Sequence, residues 1–345
     1  MDVKRRLLAA LDGEAKGDPP VICPGGMMSM SCREVGERNG DIWLEAHTSP
    51  TMMARLATDM AEATGFENVG VPFCVTVEAE ALGGFVDYGS ARVEPRITDF
   101  VLESPGQLSK IAFRGTDASG RMPVVLEAIS MLKERQSDLP VVGNLTGPIS
   151  LANSLMDPNA FLRLMIRDKP FTRDYMELLT EAIAAFGEAE AKAGADVISI
   201  GDPTASGDIL GTDLFEEFAL PSMQRIVSRI KKQGARTILH ICGNIKPILS
   251  YMKATGADAL SFDAAVPIKM ARSAVGDWAL MGNVSTFLLA GGPPDSITRA
   301  TRRVIREGID IVSPACGLST GTPAAYVKIM TDAVRQYRLE KQEAS

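Results

Sequence analysis

Short apolar runs recur along the chain, and each ends at or near Gly, Pro, Asn or Asp. They are Val21–Cys23, Val69–Phe73, Val141–Leu145, Val197–Ile200, Thr237–Ile241, Ala259–Phe262, Ala279–Gly282 and Ile309–Val312. Near-continuous apolar strands that alternate with longer helical stretches are the pattern of a parallel sheet covered on both faces. Eight such units predict an α/β protein built as one (β/α)₈ barrel. No composition break or linker divides the chain, so residues 1–345 are expected to form a single domain.

The helical stretches carry their own signals. Phe171–Ala193 is rich in Ala, Leu and Glu and predicts a long helix, with Gly194 as its C-terminal cap. Asp213 and Glu216 have the spacing of a capping box, which predicts a helix running to about Lys232. Pro221 lies inside that stretch and predicts a break near Leu220. Arg5–Leu11 reads as an N-terminal helix ahead of the first strand. Between the second and third strands, Glu78–Lys133 reads as an insertion. Its Gly83–Gly89 and Ala91–Pro95 portions predict a hairpin of the kind that closes over a ligand.

Composition narrows the function classes. With 46% hydrophobic and 23% charged residues the chain is ordinarily globular. A net charge of -7 removes the basic surface that nucleic-acid binding needs. No apolar run reaches the length of a membrane span, and the N-terminus has no signal-peptide core. The five cysteines are scattered at 23, 32, 74, 242 and 316, which fits no disulfide framework and implies the reducing cytoplasm.

Candidate chemistry concentrates at His240 and Cys242. The chain has two histidines, and this one stands two residues from a cysteine at the end of an apolar run. On a strand, residues i and i+2 point the same way, so one imidazole and one thiol face one spot. Cys316, after the last apolar run, offers a second sulfur. Imidazole with thiolates favours zinc, and three protein ligands with an open position describe a catalytic site. The barrel adds weight, because active sites in that fold lie at the carboxyl ends of the strands. Asp263, Asp202, Asn283, Thr146 and Cys74 all follow strand ends on that rim.

Asp202 is the candidate for steering substrate or orienting the ligand imidazole, against the plainer reading that it caps the following turn. Thr146, Asn283 and Glu80 are the candidates for substrate contact. Cys23, Cys32 and Cys74 read as core or pocket wall, and His47 as a structural residue in a loop ahead of a helix. Met27, Met28 and Met30 follow the first run and are candidates for lining an apolar cavity. Gly25-Gly26 and Gly291-Gly292 lack the phosphate-loop lysine.

These segments carry a family resemblance. Arg6–Glu14, Glu45–Thr48, Pro123–Ile129, Ala193–Ile198, Leu239–Asn244 and Pro314–Gly317 resemble the uroporphyrinogen decarboxylase superfamily over nearly the whole chain. Within it they are most similar to the methylcobamide:coenzyme M methyltransferases of methanol and methylamine metabolism. The resemblance implies that His240, Cys242 and Cys316 bind Zn²⁺. It also implies an acidic fourth ligand at the position of Asp263, where relatives carry a glutamate. A methylated corrinoid is the implied methyl donor, presented by a separate corrinoid protein, and a thiol such as coenzyme M is the implied acceptor.

Three alternatives stand beside this reading. Tetrahydrofolate is an alternative acceptor, and a barrel with structural zinc that only binds a corrinoid protein is another. The third is a decarboxylase of the parent superfamily, whose substrate-holding arginines follow the first strand. Here Cys23–Met28 carries none before Arg33.

Overall fold

The computed structural model describes residues 2–14, 18–23, 32–38, 40, 42–135 and 138–343. Seven parallel strands form one curled sheet: β1 (Val69–Val71), β4 (Val141–Thr146), β5 (Val197–Gly201), β6 (Arg236–Ile241), β7 (Ala259–Phe262), β8 (Ala279–Val284) and β9 (Ile311–Pro314). A separate antiparallel pair, β2 (Phe85–Asp87) and β3 (Arg96–Asp99), follows β1. The sheet strands are almost wholly buried, which explains why they read as continuous apolar runs. Helices follow the strands, the longest being Lys169–Ala193.

The run Val21–Cys23 is not a regular strand. Val21 makes one parallel bridge to Val312, with Ile22 N–H donating to the Val312 carbonyl at 3.0 Å. On its other side Glu67 N–H donates to the Val21 carbonyl at 2.8 Å. Pro19 and Pro20 supply no donors ahead of it, so a full ladder cannot form. Side chains take its place. Glu67 accepts from Val21 N–H at 3.1 Å, and the Asn68 amide both accepts from and donates to the Cys23 backbone at 3.0 and 2.8 Å. The two edges of the curled sheet therefore meet through Pro20–Cys23.

The N-terminal helix, Val3–Leu11, begins two residues earlier than the pattern predicts because Asp2 caps it, accepting from Arg5 N–H at 2.7 Å. Its Leu7, Ala10 and Leu11 pack with Ile22, Val142, Val197, Ile238, Ala259, Ala279 and Ile311. Those residues lie in the entering halves of the strands, so the helix closes the end of the sheet opposite the site. The long helix ends as expected at Gly194, whose φ of +118 is a conformation that glycine accepts.

Two expectations need correction. The capping box at Asp213 does not form. The helix begins at Gly207, its backbone breaks at Gly211 (φ +65), and the Asp213 carboxylate takes the Thr212 hydroxyl while Glu216 takes that of Tyr251. The wide π-turn Phe215–Ala219 then precedes Leu220–Lys231, so the irregularity ahead of Pro221 is where the proline predicts it. The second strand of the hairpin is Arg96–Asp99, beyond the predicted Ala91–Pro95; residues 90–93 form the connecting turn instead. Among the described residues no helix is long and apolar enough to cross a membrane.

Candidate metal centre

β6 places the site. Its residues Thr237–Ile241 are buried, and the chain turns away at Gly243 in the left-handed region (φ +68). No atom lies within 4 Å of where a Cβ would stand there, so conformation and not space selects the glycine. His240 and Cys242 come to the same side, as the period of two requires. Cys316, two residues beyond β9, joins them. The donor atoms of His240, Cys242 and Cys316 all lie within 4.8 Å of one another. His240 Nε2 is 3.0 Å from Cys242 Sγ, and the two sulfurs are 2.9 Å apart. None of the five cysteines is in a disulfide.

His240 is 4% exposed, while the two cysteines are half-buried. The site is thus walled on the imidazole side and open on the sulfur side. The hydrogen bond from Cys242 draws the Cys316 thiol down, helped by His240, and the same contact together with burial pushes Cys242 up. The pair already favours a thiolate, the form a metal requires.

The imidazole is oriented by a residue the sequence reading did not single out. Ser261 pairs with His240 in the β6–β7 register, and its hydroxyl lies 2.9 Å from Nδ1. That contact leaves Nε2 directed at the sulfurs. The donor set therefore fits a thiophilic ion: two cysteine sulfurs and one imidazole whose second nitrogen is ordered.

The other expected site residues have assigned partners. Asp202 is fully buried, and its carboxylate accepts from Ile149 N–H (3.1 Å), Ser150 N–H (2.8 Å) and the Ser150 hydroxyl (2.7 Å). It thereby holds the first turn of helix Pro148–Leu155, across β4 from its own strand. Its backbone N–H, not its side chain, reaches His240, through the His240 carbonyl at 2.9 Å. Asp263 accepts from Ala265 N–H at 2.8 Å and Gly243 N–H at 3.4 Å, and it is not among the three clustered donors. Asn283 donates to the carbonyls of Asp263 and Val266, bracing that turn.

Thr146 gives its N–H and hydroxyl to the two oxygens of Glu78 at 2.7 and 2.9 Å. Glu80 receives the Tyr88 hydroxyl and an ion pair from Arg121. Arg121 carries no local motif that marks it. His47 is in the last turn of helix Trp43–Thr48, not in a loop, and is fully buried. Gly25, Gly26, Met27, Met28 and Met30, with the stretch where a decarboxylase arginine was sought, lie outside the described residues except for Cys23.

Comparisons with known proteins agree with this geometry. The family model for uroporphyrinogen decarboxylase (URO-D) matches residues 2–337. The methylcobamide:CoM methyltransferase MtaA of Methanosarcina barkeri is 34% identical over 340 residues, covering 97% of this chain and 98% of its own. The methylcobamide:CoM methyltransferase MtbA of Methanosarcina mazei is 34% identical over 341 residues, with the same coverage. A solved structure of a methyltransferase from Methanosarcina mazei superposes with a TM-score of 0.90 at 35% identity, covering 98% of this chain and 99% of that one.

Proposed function

The chain belongs to the uroporphyrinogen decarboxylase (URO-D) family, and on that premise we propose that it is a zinc-dependent methyltransferase that moves a methyl group from a methylated corrinoid to a small thiol, coenzyme M. The observation that carries this reading is the convergence of His240, Cys242 and Cys316 on one point at the strand ends. A decarboxylase has no use for two thiolates there, whereas a thiol methylase does.

His240 through Nε2, Cys242 and Cys316 are the residues that would hold the ion. Zinc bound there supplies one thing, the loss of the proton from an acceptor thiol at neutral pH. Ser261 holds the imidazole through Nδ1 and so presents Nε2 to the metal position. Asn283 and the Asp263 turn brace the neighbouring strand ends, and Asp202 fixes helix Pro148–Leu155 beside them. In the transfer the acceptor sulfur forms a bond to the methyl carbon, the cobalt–carbon bond breaks, and cobalt departs with the electron pair as Co(I). Asp263 stands next to Gly243 and is the nearby carboxylate for a fourth contact. Thr146 and Glu80 line the rim through Glu78 and Arg121.

The methylated corrinoid is a substrate in this reading, delivered by a separate corrinoid protein, and neither His47 nor His240 lies in an Asp-x-His-x-x-Gly cobalamin-binding sequence. The seven strands with Pro20–Cys23 as an eighth stave support the reading of a (β/α)₈ barrel, whose mouth the hairpin would cover. The setting is the cytoplasm, where thiols stay reduced.

The test is to mix the zinc-loaded protein anaerobically with methylcobalamin and coenzyme M, homocysteine or tetrahydrofolate in turn. Co(I) formation with coenzyme M supports the proposal. Co(I) formation with tetrahydrofolate alone overturns the thiol acceptor in favour of the folate. A thiol gains directly from the metal by losing its proton, whereas the folate nitrogen does not, which is why the thiol is preferred.

A further inference from the structure

A second group of polar side chains gathers just beyond β1, apart from the metal donors. Cys74 is 5% exposed. Its sulfur receives Arg121 Nη1–H at 3.6 Å and the Thr76 hydroxyl at 3.3 Å. The Thr76 oxygen is itself occupied as an acceptor of Arg121 Nη2–H at 2.7 Å, so its own proton points to the sulfur. The sulfur is thus an acceptor from two donors. A guanidinium does not lose its proton in proteins, so the charge beside Cys74 is permanent. Arg121 is held in place by Glu80, by the His47 carbonyl at 3.4 Å and by the Tyr88 ring, 4.8 Å from its Cζ.

His47 adds an independent observation. It is fully buried, and among the described residues neither ring nitrogen has a partner at ordinary hydrogen-bond geometry. Its ring packs edge-on against Trp43 and Phe73, the residue before Cys74. A buried imidazole is rarely left wholly unpaired. This one lies close enough to Cys74 to draw its thiol down.

Burial by itself pushes the Cys74 thiol up. Arg121, His47 and Thr76 reverse that and bring it down to about 6. The charged or titratable groups facing it are Arg121, His47, Glu78, Glu80 and Tyr88; of these Glu78 and Tyr88 are held up mainly by burial, with a smaller part from the Cys74 charge. Cys32 is the internal contrast, since burial pushes it to about 12.

We propose that Cys74 is a covalent modification site, a buried sulfur paired with the Arg121 guanidinium, that reacts with small uncharged electrophiles of the hydroperoxide class, with His47 as the hydrogen-bond partner of the oxygen it acquires. The sulfur attacks one oxygen of hydrogen peroxide, and the O–O bond breaks. Sulfur is oxidised by two electrons to the sulfenic acid, and the second oxygen leaves as hydroxide carrying the electron pair. At 5% exposure Cys74 excludes a bulky reagent, so the reagent in question is a small neutral one. The metal donors do not compete in zinc-loaded protein, where Cys242 and Cys316 are occupied.

The experiment treats zinc-loaded full-length protein at pH 7 with substoichiometric hydrogen peroxide and a sulfenic-acid-trapping dione. Iodoacetamide is used in parallel, and labelled cysteines are located by peptide mass spectrometry. Cys74 is expected to label first, at least about tenfold faster than Cys32, in line with its thiolate fraction. Arg121→Gln is expected to slow Cys74 labelling and to move its pH dependence upward. Where that variant does not fold, Thr76→Val removes the other donor and is read in the same way. Labelling of Cys74 no faster than Cys32, or an unchanged rate and pH profile in both folded variants, overturns the proposal.

Discussion

His240 and Ser261 stand side by side on adjacent parallel strands, with the imidazole Nδ1 and the serine hydroxyl 2.9 Å apart. The pair converts a feature of register into chemistry. With Nδ1 occupied, Nε2 is the nitrogen presented to the sulfurs. Ser261→Ala leaves the buried nitrogen to find water or nothing. Zinc affinity, measured by chelator competition, is expected to fall about 10–100-fold, with methyl transfer falling alongside. The thermal midpoint of the metal-free protein should move little. Unchanged affinity would show that packing alone orients the ring.

Cys316→Ala separates the metal centre from the fold. Cys316 lies beyond β9 and is half-buried, outside both apolar clusters of the core. The variant is expected to lose stoichiometric zinc and methyl transfer together, read by elemental analysis and by Co(I) formation. Its secondary structure and cooperative unfolding should persist. Full activity in metal-free protein would end the zinc reading.

The parts of this site that follow from local periodicity were legible in the sequence. His240 and Cys242 are two apart on an apolar run, so their convergence needs only the strand period. Cys316 needs the further step that strand ends share a rim. Ser261 was not legible, because which residue of β7 faces His240 depends on register between strands. The partners of Asp202 were not legible for a similar reason. That residue stands at a strand end as active-site residues do, but its carboxylate crosses to Ile149 and Ser150 on another unit. The first apolar run looked like any other, yet Pro19 and Pro20 deny it a ladder, and Glu67 and Asn68 supply the bonds from their side chains.

Glu78 predicts an unusual pH dependence. Burial raises its carboxyl to about 7, against the two hydrogen bonds from Thr146 that pull it down. A carboxyl raised in the folded state holds its proton there more tightly than in the unfolded chain. Its contribution to stability therefore falls as pH rises from the ordinary carboxylate range to about 7. Glutamine keeps both contacts with Thr146, because the threonine hydroxyl can accept from the amide. Glu78→Gln is expected to unfold at the same temperature as the parent at pH 5 and a few degrees higher at pH 8. Equal midpoints at both values would mean that Glu78 is ionised without penalty.

Glu67 predicts the opposite sign. It is 4% exposed, and it pairs with Arg338 from the C-terminal helix while accepting from Val21 N–H. Burial alone would raise its carboxyl, but Arg338, Val21 and Arg6 together hold it below the usual range. Its contribution is present above the unfolded carboxylate value and is lost as pH falls through the lower folded one. Because Val21 joins the two edges of the sheet, the same carboxylate ties the C-terminal helix to that closure. Arg338→Ala leaves the buried carboxylate with Arg6, 3.4 Å away, as its remaining cation and is expected to cost up to about 3 kcal/mol in denaturant unfolding at neutral pH. Adding Glu67→Gln to that variant removes the buried charge and keeps an acceptor for Val21. The double variant should therefore recover much of the loss. If it is no more stable than Arg338→Ala, the cost arises from the missing arginine stem and not from the charge.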